Sequence, residues 1–259
     1  MLEHEAVPPS RALICGTAKT IHRYRSAVEG HGFEVRALEV LCFQPDAAAL
    51  KRAALRVLEA QQQAQAPGGA LPLQVVLTSS AAVRMLQETI DELRAGSVHA
   101  TELGHGEGPG SVVLTIRGCG TEAACRSSSS FNNVLFCGER LCDVYNFLRS
   151  RTTAPTLLLG VRSGGDRSYR SDPVLRTAID FIGLYDTCVA PGARAAVNAA
   201  LGWAGATRCH VVVTSSKSAA LLAQVVATGP PRREIVFVAQ GESTAAALRV
   251  CLAKFLDFQ

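Results

Sequence analysis

The sequence predicts an α/β fold with parallel sheets, and three observations predict it. Short apolar runs rich in β-branched residues alternate with helical stretches along nearly the whole chain. That is the pattern of strand–helix–strand units with helices on both faces of the sheet. One junction is written twice, as VVLTSSAAVRMLQ at 75–87 and VVVTSSKSAALLAQ at 211–224. A second pair follows the first: GCGTEAACR (118–126) and GESTAAALR (241–249) share Gly-x-[Gly/Ser]-Thr-x-Ala-Ala-x-Arg, each after a short apolar strand. Two copies are too few for a solenoid, so the chain reads as two similar α/β domains.

ALIC (12–15) is a strand, and AKTIHRYRSAVEG (18–30) is a helix stopped by Gly30 and Gly32. FEVRALEVLCF (33–43) alternates and is extended as far as Pro45, and the Ala-, Leu- and Gln-rich 47–66 is a helix broken by PGG at 67–69. The first Thr-Ser-Ser unit comes next, then a loop at 103–110, a strand at 111–116 and the first Gly-x-x-Thr helix. NVLFC (133–137) and TLLLGV (156–161) are strands with helical stretches behind them, and GLYDTCVAP (183–191) is extended again. A helix at 192–203, strand at 209–213, helix at 216–226, strand at 234–239 and helix at 242–256 complete the series.

Composition excludes several classes. At 259 residues the chain exceeds the usual single-domain size of about 100–150. Its 48% hydrophobic and 19% charged residues fit a well-buried globular protein rather than a disordered one. No apolar run reaches the roughly 18–20 residues of a membrane span, and MLEHEAVPPS lacks the apolar core of a signal peptide. The nine cysteines are odd in number and form no Cys-x-x-Cys, and no two histidines stand at i, i+4. Buried thiols in a reducing compartment are therefore expected, not a disulfide framework or a zinc site. Of the 26 basic residues 22 are Arg, yet no dense basic run or basic–aromatic alternation points to nucleic acid.

The carboxyl ends of parallel strands line the crevice where open α/β sheets bind ligands, and there each helix opens with unpaired backbone N–H groups. Thr78, Ser79 and Ser80, like Thr214, Ser215, Ser216 and Lys217, put donors at that end. Gly118 and Gly241 let the backbone approach closely, and Thr121, Ser243 and Thr244 add hydroxyls in the first helical turn. Four anion-seeking positions result. Serine and threonine are also ordinary helix caps, worth about 1 kcal/mol each, and that reading stays open for any single junction. GVRSGGDR (160–167) lacks the Gly-Lys-Ser/Thr ending of a phosphate loop. Its Arg162 and Arg167, with Arg170 beyond, can meet carboxylates or lie on solvated surface. Asp166 and Asp186 stand alone, which disfavours a phosphoacceptor regulator.

The order strand–Thr-Ser–helix, strand–Gly-x-x-Thr–helix, a long passage, YDTCVAPG, a second strand–Thr-Ser-Ser–helix and VFVAQGESTAAAL resembles the uroporphyrinogen-III synthase family over roughly residues 11–250. The resemblance implies two flavodoxin-like α/β/α domains joined by two extended antiparallel linkers. One domain is built from 1–37 plus 192–259, the inserted one is 46–182, and the linkers are 38–45 and 183–191. It implies that hydroxymethylbilane, a linear tetrapyrrole with eight carboxylates, is held between the domains. The substrate loses water and closes to uroporphyrinogen III with ring D inverted, without metal or organic cofactor. Tyr185 matches the family's active-site tyrosine and would donate a proton or hydrogen bond to the leaving hydroxyl, its other reading being packing with a satisfied OH. The substrate-binding set would be Thr78, Ser79, Ser80, Gly118, Thr121, Arg162, Thr214, Ser215, Ser216, Lys217, Gly241, Ser243 and Thr244. The expected partner is the tetrapyrrole alone, with no nucleic acid or membrane, and a cytoplasmic monomer is expected. The alternative is a non-catalytic homologue that binds an anionic ligand.

Overall fold

The computed structural model describes residues 10–63, 73–96, 112–127, 134–138, 141–150, 155–162, 168–204, 208–229 and 234–256. In chain order the first elements are β1 (Arg11–Gly16), α1 (Ala18–Gly30), β2 (Glu34–Glu39), β3 (Leu41–Pro45), α2 (Ala47–Gln63), β4 (Leu73–Leu77) and α3 (Ser80–Gly96). There follow β5 (Val112–Arg117), α4 (Cys119–Arg126), β6 (Val134–Gly138), α5 (Leu141–Arg149), β7 (Thr156–Val161), α6 (Pro173–Ala178) and β8 (Ile179–Val189). The last are α7 (Ala193–Trp203), β9 (Cys209–Val213), α8 (Ser216–Thr228), β10 (Ile235–Ala239) and α9 (Glu242–Leu256). The α/β class with parallel sheets is as the sequence predicts. The loop expected at 103–110 lies outside the described residues.

The chain divides into two compact units, residues 1–43 with 187–259 and residues 44–186. The first has a four-stranded sheet of order β10-β9-β1-β2, with every neighbouring pair parallel. Ala12, Leu13, Ile14 and Cys15 are all fully buried, so both faces of β1 are covered, which is why ALIC reads as an unbroken apolar run. Leu13 and Cys15, with Val211 and Val213 of β9, share one face and pack with Val197 of α7 and Leu222 of α8. At the opposite end of β1, Arg11 Nη1 donates to Trp203 O at 2.6 Å, and its guanidinium lies 5.0 Å from the indole ring.

The second unit's sheet has the order β3-β8-β7-β4-β5-β6. Its inner strands are parallel, from β8 to β7, β7 to β4, β4 to β5 and β5 to β6. Val76 and Leu158 pack with Val144 and Leu148 of α5 and Leu175 of α6. Two expectations are refined here. The extended stretch 33–43 breaks at Val40 into β2, paired with β1, and β3, adjacent to β8. The stretch expected to be extended from 183 already begins at Ile179. Asp46 N–H donates to Leu184 O and Ala190 N–H to Val40 O, so numbering falls along β8 as it rises along β3.

Among the described residues the cysteines are free thiols. Burial, with Cys209 close by, pushes the Cys15 thiol up to about 12, and burial pushes Cys125 to about 11. Both stay protonated at neutral pH and are poor nucleophiles, whereas Cys142 is exposed. Alkylation of the folded protein at pH 7.5 should therefore label Cys142 and spare Cys15 and Cys125 until denaturant is added, as read by peptide mass analysis. Labelling of Cys15 at the rate of Cys142 in the folded chain would contradict this core.

Candidate functional site: hydroxyls, glycine turns and a tyrosine at the strand ends

The repeated threonines do the same thing in each unit. In the first, Thr214 follows β9 and its hydroxyl donates to Cys15 O at 3.0 Å, at the end of the neighbouring β1. In the second, Thr78 follows β4 and donates to Leu159 O at 3.4 Å, near the end of the neighbouring β7. Each reaches the next strand over a glycine. A Cβ at Gly16 would lie 2.6 Å from Thr214 Oγ1, and one at Gly160 would lie 2.8 Å from Thr78 Oγ1. Hydroxyl and side chain cannot share that space, so glycine is required beside threonine twice. The first serine of each triplet then caps the helix. Ser79 Oγ accepts from Ala82 N–H at 3.1 Å, and Ser215 Oγ accepts from Ser218 N–H at 3.2 Å, with Ser218 Oγ accepting from Ser215 N–H in return. Ser80 and Ser216 are first helical residues, the former buried and the latter exposed beside Lys217.

The second repeated junction also has one geometry. Gly118 before α4 has φ 83° and Gly241 before α9 has φ 79°, a positive φ that glycine adopts freely and a residue with Cβ does not. A positive φ by itself calls for glycine at both positions. Gly118 O accepts from Thr121 N–H and Glu122 N–H, and Gly241 O from Ala245 N–H, which closes the first turn. The side chains of Thr121 and Thr244 point into cover, each residue being 4% exposed, while Ser243 is exposed.

Tyr185 belongs to the second unit and lies beside its Thr-Ser-Ser turn. Its OH is 2.8 Å from Ser79 Oγ, and the residue is 4% exposed. The sheet bends to put it there. Gly160 pairs with Gly183 but Val161 pairs with Tyr185, so Leu184 is the extra residue of a bulge. A Cβ at Gly183 would come within 2.7 Å of the Arg162 main chain, so that strand also needs glycine to lie this close. Arg162 N–H donates to Tyr185 O at 2.8 Å and fixes the tyrosine's backbone. The Arg162 guanidinium meets the chain's own carboxylates: Nη1 is 2.8 Å from Asp46 Oδ2 and Nη2 is 2.7 Å from Asp186 Oδ2. The only described arginine of the binding set is thus held by two acids of its own unit.

The second unit brings together Thr78, Ser79, Ser80 and Tyr185, with Arg162 just past the end of β7. Thr214, Ser215, Ser216 and Lys217 lie together in the first unit, and Lys217 Nζ donates to Thr187 O. Gly118 and Thr121 belong to the unit of Tyr185, and Gly241, Ser243 and Thr244 to the other. Sequence reasoning missed Gly16, Gly160 and Gly183; the available signal was that LICG and LLLG both end an apolar strand in glycine. Arg167 lies outside the described residues and Arg170 is exposed. Among the described residues, no cluster of His, Cys, Asp and Glu could hold a metal ion, and no helix is long and apolar enough to cross a membrane.

Fold and strand ends together define a chain of two parallel α/β units, each with hydroxyls and glycine turns where its strands end. No protein-family model matches the chain, and no curated protein sequence matches it. Among solved structures it is similar to three of uroporphyrinogen III synthase from Thermus thermophilus, each at 15% identity. A mutant form has a TM-score of 0.49, with 96% of this chain and 97% of that chain covered. The other two have TM-scores of 0.36, covering 93% and 90%, and 0.39, covering 93% and 89%.

The threonine–glycine contact makes a direct prediction. Gly160→Ala should destabilise the chain by about 1–3 kcal/mol, the usual range for overpacking. Thr78→Ala added to it should restore part of that loss by emptying the space the new methyl needs. Denaturant unfolding of the two single variants and the double variant measures the coupling. Strict additivity would mean that the two groups do not compete.

Proposed function

We propose that this chain is a uroporphyrinogen-III synthase, closing hydroxymethylbilane to uroporphyrinogen III in tetrapyrrole biosynthesis, and that its two compact units are the two domains of that enzyme. The reading is carried by Tyr185, which stands where the YDT motif resembles the family's tyrosine and is set against the Thr-Ser-Ser turn by a hydrogen bond to Ser79. Electron-rich pyrrole expels hydroxide readily, and Tyr185 supplies the proton with which it leaves as water. The azafulvene so formed is electrophilic without help and can close to the wrong isomer. The protein's larger task is therefore to hold the folded substrate so that the spiro intermediate forms and ring D inverts. Backbone N–H groups at the helix starts, with Ser216, Lys217 and Ser243, are suited to hold carboxylates, since these three side chains are exposed. Thr121 and Thr244 stand in the first turns of two of those helices and are as little exposed as Tyr185.

A second reading has its own observation. Arg162 is engaged by Asp46 and Asp186, which removes the described arginine best placed beside Tyr185 from substrate binding. A homologue that binds an anion without turnover would tolerate this. Freshly generated hydroxymethylbilane decides between them. Uroporphyrinogen III should form with no metal or nucleotide added and with chelator present. Type I isomer alone, at the rate without protein, would leave the binding reading standing.

Within the catalytic reading the roles separate kinetically. Tyr185→Phe should lower kcat by about ten- to a hundredfold, the range for a positioned acid. Ser216→Ala and Ser243→Ala should raise KM with kcat largely kept, since a hydrogen bond to a charged group, worth about 1.5–3 kcal/mol, acts alike on substrate and transition state. Steady-state kinetics with the ratio of III to I isomers as a second readout measures both. Full kcat in Tyr185→Phe would remove the tyrosine from the chemistry.

A further inference from the structure

Ser79 and Ser215 are twins in sequence and in capping, but only one of them meets a tyrosine. We infer that Ser79 is a positioning residue for Tyr185, orienting its hydroxyl toward the leaving group; this rests on the catalytic reading above. Four features of the second unit bear on it. Ser79 Oγ already accepts the Ala82 N–H at 3.1 Å, so its position is fixed by α3 and not by a free rotamer. Tyr185 OH lies 2.8 Å from that fixed oxygen. Tyr185 O is held by Arg162 N–H at 2.8 Å, so the tyrosine is tied at its backbone and at its ring tip. The bulge at Leu184 shifts the register of β8 against β7 just before Tyr185, and the first unit's strand pairings show no such shift.

Capping explains the serine in both units, but it does not require a tyrosine hydroxyl at hydrogen-bond distance. In the first unit Ser215 Oγ instead lies 3.0 Å from Ser218 Oγ, within its own helix start. Either hydroxyl can donate across the 2.8 Å contact; with the Ser79 hydroxyl donating to the Tyr185 oxygen, the phenol's own proton is turned away from Ser79 and left for the leaving group. Orientation of the donor is what proton transfer to a bound hydroxyl demands. Removing the serine therefore should leave substrate binding in place and slow the chemical step.

The test compares Ser79→Ala, Ser79→Thr and Ser215→Ala in the full chain, with Tyr185→Phe as reference. The 13Cζ resonance of Tyr185, in protein labelled at tyrosine and assigned by its loss in Tyr185→Phe, should move in Ser79→Ala and stay in Ser215→Ala. Both alanine variants should lose comparable thermal stability, since each loses one cap. Ser79→Ala should lower kcat about tenfold with KM within about twofold, Ser79→Thr should restore most of it, and Ser79→Ala added to Tyr185→Phe should cost little more. An unmoved Cζ resonance in Ser79→Ala, or full kcat with only the stability loss of Ser215→Ala, would overturn the inference. Absence of uroporphyrinogen III with the parent protein would instead overturn the catalytic reading, and the resonance comparison would still decide whether Ser79 sets the tyrosine.

Discussion

A threonine hydroxyl seated over the glycine that ends or nearly ends the neighbouring strand is the constraint on which each unit is built. Thr214 reaches Cys15 O above Gly16, and Thr78 reaches Leu159 O above Gly160. The contact joins the two central strands where their ladder runs out, a hydroxyl of one strand's end donating to a backbone carbonyl of the other. It also fixes where the following helix starts, because the next residue, Ser215 or Ser79, is the cap. The strand end, the helix start and the orientation of the first turn are thus set by one oxygen against one missing side chain.

From that constraint the correspondence of the units follows. Unit one orders its strands β10-β9-β1-β2, and the inner four of unit two run β5-β4-β7-β8. In each, the second strand ends in Thr-Ser-Ser, the first leads through a positive-φ glycine into a helix, and the third carries the glycine under the threonine. In sequence these elements come in different orders, since β1 and β2 precede β9 and β10 while β4 and β5 precede β7 and β8. Unit two adds β6 beyond β5 and β3 beyond β8, and among the described strand pairings it alone has register shifts, at the ends of β5–β6 and β7–β8. The common frame is regular. The departures from it gather at the carboxyl end of the unit that carries Tyr185.

Those departures make the second unit chemically distinct. Its Thr-Ser-Ser turn holds a phenol, its β7 is followed by an arginine committed to Asp46 and Asp186, and a glycine at 183 lets the two backbones close on each other. Arg162 is more than half exposed at its side chain, and exposed ion pairs contribute little, about 0–1 kcal/mol, so its backbone N–H on Tyr185 O is the more consequential part. A carboxylate ligand would have to displace two acids from this guanidinium. The exposed donors of the first unit, Ser216 and Lys217, sit in a different setting, at a regular strand end.

Class, alternation and doubling are legible in the residues alone. Strands buried on both faces must be continuously apolar, and helices must start with groups that satisfy free N–H, so ALIC, the Thr-Ser-Ser triplets and the Gly-x-x-Thr starts are readable one segment at a time. Gly118 and Gly241 are legible for the same local reason, and both take a positive φ. Tertiary structure alone decided which segments meet. Gly16 faces Thr214 across 198 positions, and Ser79 faces Tyr185 across 106, separations no local pattern encodes. The split of 33–43 at Val40, the bulge at Leu184 and the burial of Thr121 and Thr244 also depend on neighbouring strands and helices. Propensity and capping act within a few residues, whereas a hydroxyl's partner and a side chain's cover are set by whatever the sheet brings alongside.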